Sequence, residues 1–554
     1  MNKIDKVWEL HKSIYRHLKK KAKSLEGEVS KELVQYEKNQ RKYASRDFEQ
    51  SSMDELFNRI NQSHVVYLGD FHSFDQNSRN LERLIRNLII QKEAFSLGVE
   101  FVDIKHQQAI DDYLKRHITE LEFLEQIEYH ETWRFPWVYY RPFFQMAREN
   151  NVSVLALNTE GGLKERDEKA AHQIQQFFSQ NPKSRLLVLF GELHIVKNKL
   201  PQMVKKRLSP LLPNYKDLII HQNLDEVYWK LHEIHIEKHN QIITFEDNEF
   251  ALLSAPPWIK YESMIYWYEN LADSPELEIN DYLFNEGVLY LNSNVPENFL
   301  YLCEKIRETL EIEDKIEWES LEDFNLYEHQ NLEIVTEKIQ ALSQQRLIDF
   351  FERLVSEGRV FRIPQTSSYY CSSYSINRMG QLAGTHLQHL AHQKQGLDDQ
   401  KQWLQSKSYE KFISIIKTNA IGFLCSKIIN PYRKCDLYGD VLTQLQSIPT
   451  SDTKTAQKAS ILHLFKDCIE LEDQTPLANI LKNKNLFIIH EAARKIGFYW
   501  GEVVYEEFLM KGNRQVNQVM NYLFSLSLDE SEFKKVLRQI LPKSIYPKHK
   551  KRYF

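Results

Sequence analysis

Apolar positions along the chain follow two different periods. In residues 1–50 they recur at helical spacing. Ile4, Val7, Trp8, His11, Ile14, Tyr15 and Leu18 form one stripe, and Lys and Arg fill the opposite face. Such a helix packs on its own protein with a solvated basic face, or docks on a partner or an anionic surface. Between residues 64 and 260 the pattern changes. His64–Leu68, Phe95–Glu100, Val152–Leu157 and Leu186–Phe190 are short apolar runs bounded by turn or polar residues, which predicts buried strands. Leu218–His221 and Ile242–Phe245 are further strand candidates. Helical patterns lie between them, at Asn80–Ile90 and Lys105–Arg116. Strand, helix, strand in succession predicts βαβ units and a mainly parallel sheet with flanking helices.

From about Pro296 the strand series stops. Glu297–Leu310, Leu332–Leu354, Ile376–His392, Tyr409–Ile429, Gln457–Glu470, Leu486–Leu509 and Gln515–Leu526 all read as helices, which predicts an all-α C-terminal domain. The expected organisation is an N-terminal amphipathic segment over 1–50, an α/β domain over 51–270 and a helical domain over 290–554. The join is expected within 255–300. Two helices of the last domain share a weak pattern: Arg378 precedes Gly380 and Gly384, and Arg494 precedes Gly497 and Gly501. Glycines four apart on one helix face let a second backbone approach closely. His386, His389 and His392 drift around their helix and read as structural.

Composition narrows the classes. At roughly 150 residues per domain, 554 residues predict two to four domains. With only 16 Gly and 16 Pro, linker-rich and collagen-like architectures are excluded. A net charge of −5 gives no electrostatic case for bulk nucleic-acid binding. The five cysteines are sparse and none forms a Cys-x-x-Cys pair, so a reducing compartment is expected. We see no apolar run near the roughly 18 residues of a membrane span. The N-terminus lacks an apolar export signal, and the first cysteine is Cys303. The expected location is the cytoplasm.

Polar residues gather at the strand ends. The first strand runs into Gly69-Asp70-Phe71-His72, the second into Glu100, the third into Asn158 and the fourth into Gly191-Glu192-Leu193-His194. In a parallel sheet these ends share one edge, where open α/β sheets bind ligands. The twin Gly-x-x-His units supply two imidazoles, His72 and His194, with Glu100 between them. Two His and a carboxylate can hold a divalent metal. The same groups can activate water without one. His72, Glu100 and His194 are therefore the expected catalytic or metal-ligating set, with Asp70, Asn158, Arg166 and Glu192 as ligand-binding neighbours. Arg166 suits an anionic group, or pairs with Asp167 or Glu100. The aromatic run Trp133–Phe144 can wall an apolar pocket or fill the core.

The segment from about 50 to 260 resembles the ChaN-like haem-binding uptake family of the Tiki superfamily. The resemblance rests on VVYLGDFHSFDQ (65–76), GVEF (98–101), HQQAIDDYL (106–114), Trp133 with Trp137, VLALN (154–158), Arg166 and LLVLFGELH (186–194). It implies a parallel-sheet core, a site around His72, Glu100 and His194, and haem or iron as ligand. The wider group implies an alternative, metal-dependent or His-catalysed hydrolysis. A non-catalytic scaffold is a second alternative. The expected partners are a small-molecule or metal ligand and, from the separate helical domain rather than the resemblance, a second copy or another protein.

Overall fold

The computed structural model describes residues 3–26, 29–234, 241–246, 248–270, 295–316, 319–328, 331–372, 374–396, 406–448, 453–513 and 515–540. The chain divides into two units. One comprises Tyr15–Val288, and the other joins Met1–Ile14 to the chain from Leu289 onward. Residues 271–294, within the span where the join is expected, lie outside the described residues.

The first unit is built on an eight-stranded sheet. Its strands are β1 (Glu49–Gln50), β2 (Val65–Asp70), β3 (Ser96–Asp103), β4 (Val154–Asn158), β5 (Leu186–Gly191), β6 (Asp217–Gln222), β7 (Ile242–Glu246) and β8 (Glu249–Leu252). Their order is β1-β7-β8-β6-β2-β5-β3-β4. The six strands from β8 to β4 run parallel, and β7 and β1 close one edge antiparallel. This is the expected mainly parallel sheet with flanking helices. The strands β2, β3 and β5 are buried almost throughout, so their sequences are continuous apolar runs rather than alternating ones.

One face of the sheet carries a core of Leu68, Leu84, Val99, Phe101, Trp137 and Phe144 among others, and here most of the aromatic run 133–144 is buried. The other face packs Tyr67, Val188 and Phe190 against Ala170, Ile174 and Val204 of the helices Leu163–Gln180 and Leu200–Leu208. The helix Lys31–Ala44 begins at Ser30, whose side chain accepts from the Leu33 amide and caps it.

The second unit is helical, as the periodicity predicts. Its centre is the helix Ser408–Ile429, flanked by Ile376–Lys394 and Leu486–Val503. The paired glycines lie at these contacts. A Cβ at Gly384 would sit 2.8 Å from the Ile421 carbonyl, and one at Gly501 would sit 2.6 Å from the Ala420 carbonyl. Three short strands add a small sheet: β9 (Asn325–Tyr327), β10 (Phe361–Arg362) and β11 (Ser368–Tyr370). Runs of two or three residues leave no periodic signal.

One sequence expectation needs correction. The helix Ser408–Ile429, with mean hydropathy 1.5 over its most apolar window, is long and apolar enough to cross a membrane. In the structure 83% of that window is buried inside the protein. The two lysines inside it are buried and partnered: Lys417 Nζ donates to the carbonyls of Ser525 (2.7 Å) and Ser527 (2.9 Å), and Lys427 pairs with Glu502 and Glu506.

Candidate functional site

The C-terminal ends of β2, β3 and β5 bring His72, Glu100 and His194 together. His72 Nε2 lies 3.9 Å from Glu100 Oε2, and His194 Nε2 lies 3.9 Å from Glu100 Oε1. All three meet around Gly191. A Cβ there would sit 3.3 Å from both Glu100 Oε2 and His72 Nε2, and 3.4 Å from His194 Cδ2. The glycine of the second motif thus keeps open the point where the three groups converge.

Each imidazole is oriented by a carboxylate. His72 Nδ1 is 3.0 Å from Asp70 Oδ2, which also accepts from the Tyr140 hydroxyl at 3.1 Å. His194 Nδ1 is 2.6 Å from Asp167 Oδ1, whose other oxygen accepts from the Tyr36 hydroxyl at 2.9 Å. An ionised carboxylate only accepts, so each Nδ1 donates, and Nε2 is the nitrogen turned toward Glu100. Burial disfavours the charged form of His72, but the hydrogen bond and charge of Asp70, with Glu100, raise its pKa overall. Glu100 shifts the other way. Burial would raise it, yet Arg166 and the two imidazoles hold its carboxyl below the usual range.

Arg166 pairs with Glu100 and donates to Asn158 Oδ1 at 3.1 Å. Of the three roles its sequence position allows, the structure places it on Glu100. The second Glu100 oxygen accepts from the Gly191 amide at 2.5 Å. Both oxygens are therefore engaged, one of them by a cation. Among the described residues, no group of three or more His, Cys, Asp or Glu is arranged to hold a metal ion.

Glu192 turns beneath this site. Its Oε1 is 2.5 Å from His221 Nδ1, and Oε2 accepts from the Gln222 amide at 3.2 Å. To reach β6 from the end of β5, the side chain crosses β2 at Gly69. A Cβ on Gly69 would lie inside the contact radius of Glu192 Oε2 and 2.7 Å from its Cδ. That is the physical reason for glycine in the first motif. His221 Nε2 reaches Glu249 Oε1 at 3.2 Å, and Glu249 also pairs with Arg46. Burial opposes charge on His221, but the two carboxylates push its pKa up to about 9.

A cavity of about 340 Å³ opens over these groups, lined by His72, Glu100, Arg166, Glu192 and His194. This falls within the roughly 300–1,000 Å³ of small-molecule sites. Asp70 also lines it. One wall is aromatic. Phe135 stacks on Trp267 with ring centroids 4.6 Å apart, and His72 lies 5.1 Å from Phe135. From the aromatic run only Phe135 reaches the cavity. Sequence reasoning did not find Tyr36, Tyr140 or His221, or the role of Asp167 as the partner of His194. Buried hydroxyls and carboxylates that act through another side chain leave no spacing signal.

Residues 56–166 match the family model described as haem-binding uptake, Tiki superfamily, ChaN. No curated protein matches the chain. Among solved structures, the chain is similar to one described as "Cofacial heme binding to ChaN of Campylobacter jejuni". The identity is 15%, the match covers 31% of this chain and 87% of that one, and the TM-score is 0.24.

Proposed function

We propose, for a chain whose residues 56–166 match the model of the haem-binding uptake family ChaN of the Tiki superfamily, that the cavity over His72, Glu100 and His194 binds haem. The observation that carries this reading is the pair of imidazoles on one cavity. Each has Nδ1 held by its own carboxylate, Asp70 or Asp167, and each turns Nε2 toward Glu100. Neutral imidazole is a good iron ligand, and a carboxylate behind it raises its basicity. The stacked Phe135–Trp267 pair offers a flat apolar wall to a planar macrocycle. The donor set therefore fits the group. When bound, haem supplies an iron centre for storage, transfer or redox chemistry. This chain's residues orient the ligating nitrogens and cover the ring. The test is a visible titration of the purified chain with haem. A shifted Soret band that is lost in His72→Ala or His194→Ala supports the reading; identical spectra with wild type and both variants refute it.

The two Asp–His pairs also support a second reading, hydrolysis. An Asp-oriented imidazole can take a proton from water, and Arg166 can stabilise a developing anion. In that case, esterase activity towards a chromogenic ester would survive a chelator and be abolished by Asp70→Asn.

A further inference from the structure

A second cluster of charged side chains lines the cavity, built around Asp225 rather than Glu100. Five cationic side chains line the cavity: Lys19, Lys23, Arg41, Arg166 and Lys260. Arg166 is engaged by Glu100. Lys23 lies against Glu26 and Glu37, and Arg41 against Glu37. Lys19 and Lys260 differ, because both converge on the single carboxylate of Asp225, at 3.2 and 2.7 Å. The hydroxyls of Tyr15 and Tyr261 also donate to that carboxylate, at 2.8 and 2.7 Å. Two ammonium groups thus share one directly bonded carboxylate.

Each ammonium has three N–H donors. Lys19 directs two to Tyr15 and Asp225, and Lys260 directs two to Asn223 and Asp225. A third N–H on each is left for a ligand. Glu226 is the other acid in this cluster. Burial and the charge of Asp225 raise its pKa, and Lys260 and Lys19 lower it. The Asp225 carboxyl is opposed by burial yet held down to about 2 by the two lysines and Tyr261. The pair is poised beside an apolar surface, since Lys260 Nζ lies 5.3 Å from the Phe71 ring centre, next in sequence to His72.

We infer that Lys19 and Lys260 form a carboxylate-binding subsite, which takes the acid side chains of a ligand whose ring lies toward His72. This rests on the haem reading and adds to it the group that selects the ligand. Both lysines lie outside the segment that matches the family model. The lysines hold the ligand's carboxylates by charge and hydrogen bonds, and the ring needs no contact with them.

The experiment compares haem with haem dimethyl ester, in which both acid groups are masked, on the full chain. Binding is read by the Soret band and by quenching of tryptophan fluorescence, since Trp267 lines the cavity. Wild type should bind haem at least about tenfold more tightly than the ester. In Lys19→Met/Lys260→Met the ratio should fall to about one while ester affinity is kept. Lys19→Arg/Lys260→Arg, which preserves charge and the Asp225 contacts, should keep the preference, and it guards against misfolding of the Met variant. An unchanged ratio in the Met variant overturns the inference. So does equal binding of the two ligands by wild type, which leaves the haem reading standing. Binding of neither ligand overturns both.

Discussion

Adding one methyl group at Gly69 should break the floor of the site. A Cβ there collides with the Glu192 carboxylate and would sit 2.7 Å from its Cδ. The β2 backbone is held there, because it pairs with β5 at Gly69 and with β6 through the preceding Leu68. Glu192 must therefore leave its place. It then loses the 2.5 Å contact with His221 and the 3.2 Å bond from the Gln222 amide. His221 is 2% exposed, so its charge is left with Glu249 as its remaining acid partner in the protein interior. Removing one partner of a buried ion pair costs about 3–5 kcal/mol. At about 2–4 °C per kcal/mol for a unit of this size, the melting point of the α/β unit should fall by roughly 6–20 °C. The assay is a double-mutant cycle followed by chemical and thermal denaturation. In a Glu192→Ala background the collision is gone, and what remains is the Ile195 methyl 3.1 Å away. There Gly69→Ala should cost less than about 1 kcal/mol, giving a coupling of about 2 kcal/mol or more between the two positions. Equal costs of Gly69→Ala in both backgrounds would refute the reasoning, and would locate the need for glycine in the β2 backbone itself.

Three further outcomes follow from the same structure. Gly501→Ala would gain about 1 kcal/mol in an exposed helix, but against the Ala420 carbonyl it should lower the melting point of the helical unit by a few degrees; a rise would contradict close packing. Because the His221 pKa is raised from 6.5 to about 9, the stability it contributes is complete below pH 6.5 and is lost as pH rises through 9; that amounts to about 3 kcal/mol, and denaturation of His221→Gln should show a flatter pH dependence over this window. Iron ligation needs neutral imidazole, so haem affinity should fall as pH drops through the raised His72 pKa, and Asp70→Asn should move that midpoint down; a midpoint indifferent to Asp70 would remove His72 from the ligand set.

The parts of the site that could be read from the sequence are those whose position follows from a strand. An apolar run ending in Gly-x-x-His places the imidazole at a sheet edge, and the parallel order then gathers His72, Glu100 and His194 without any further information. The strands β1 and β8 were not legible because two and four residues carry no alternation. Asp167 adjoins Arg166, and sequence neighbours suggest pairing. On the helix Leu163–Gln180, however, successive residues point about 100° apart, so Arg166 reaches Glu100 while Asp167 reaches His194. Lys19 belongs to the N-terminal helix, whose Lys and Arg form the basic face. Its partner is Asp225, more than 200 residues away in the chain, a contact that periodicity alone cannot forecast.

The provenance of each group bears on what the site can select. The segment 56–166 that matches the family model contains His72 with Asp70, Glu100, Asn158 and Arg166. It thus brings one oriented imidazole and the carboxylate–guanidinium pair. The second imidazole, its partner Asp167, the Tyr36 hydroxyl behind that partner, the stacked Trp267 and the two lysines on Asp225 all come from other parts of the chain. A single Asp-held imidazole beside a paired carboxylate can ligate iron or activate water, but it has little with which to recognise the rest of a molecule. Recognition needs a wall for the ring and a counter-charge for its substituents; Phe135 of the matched segment and Trp267 outside it form the wall, and both lysines lie outside the segment. Substitutions at His72 or Glu100 should therefore impair ligation of any ligand alike, whereas substitutions at Lys19, Lys260 or Trp267 should re-rank ligands that share an iron centre but differ in their periphery.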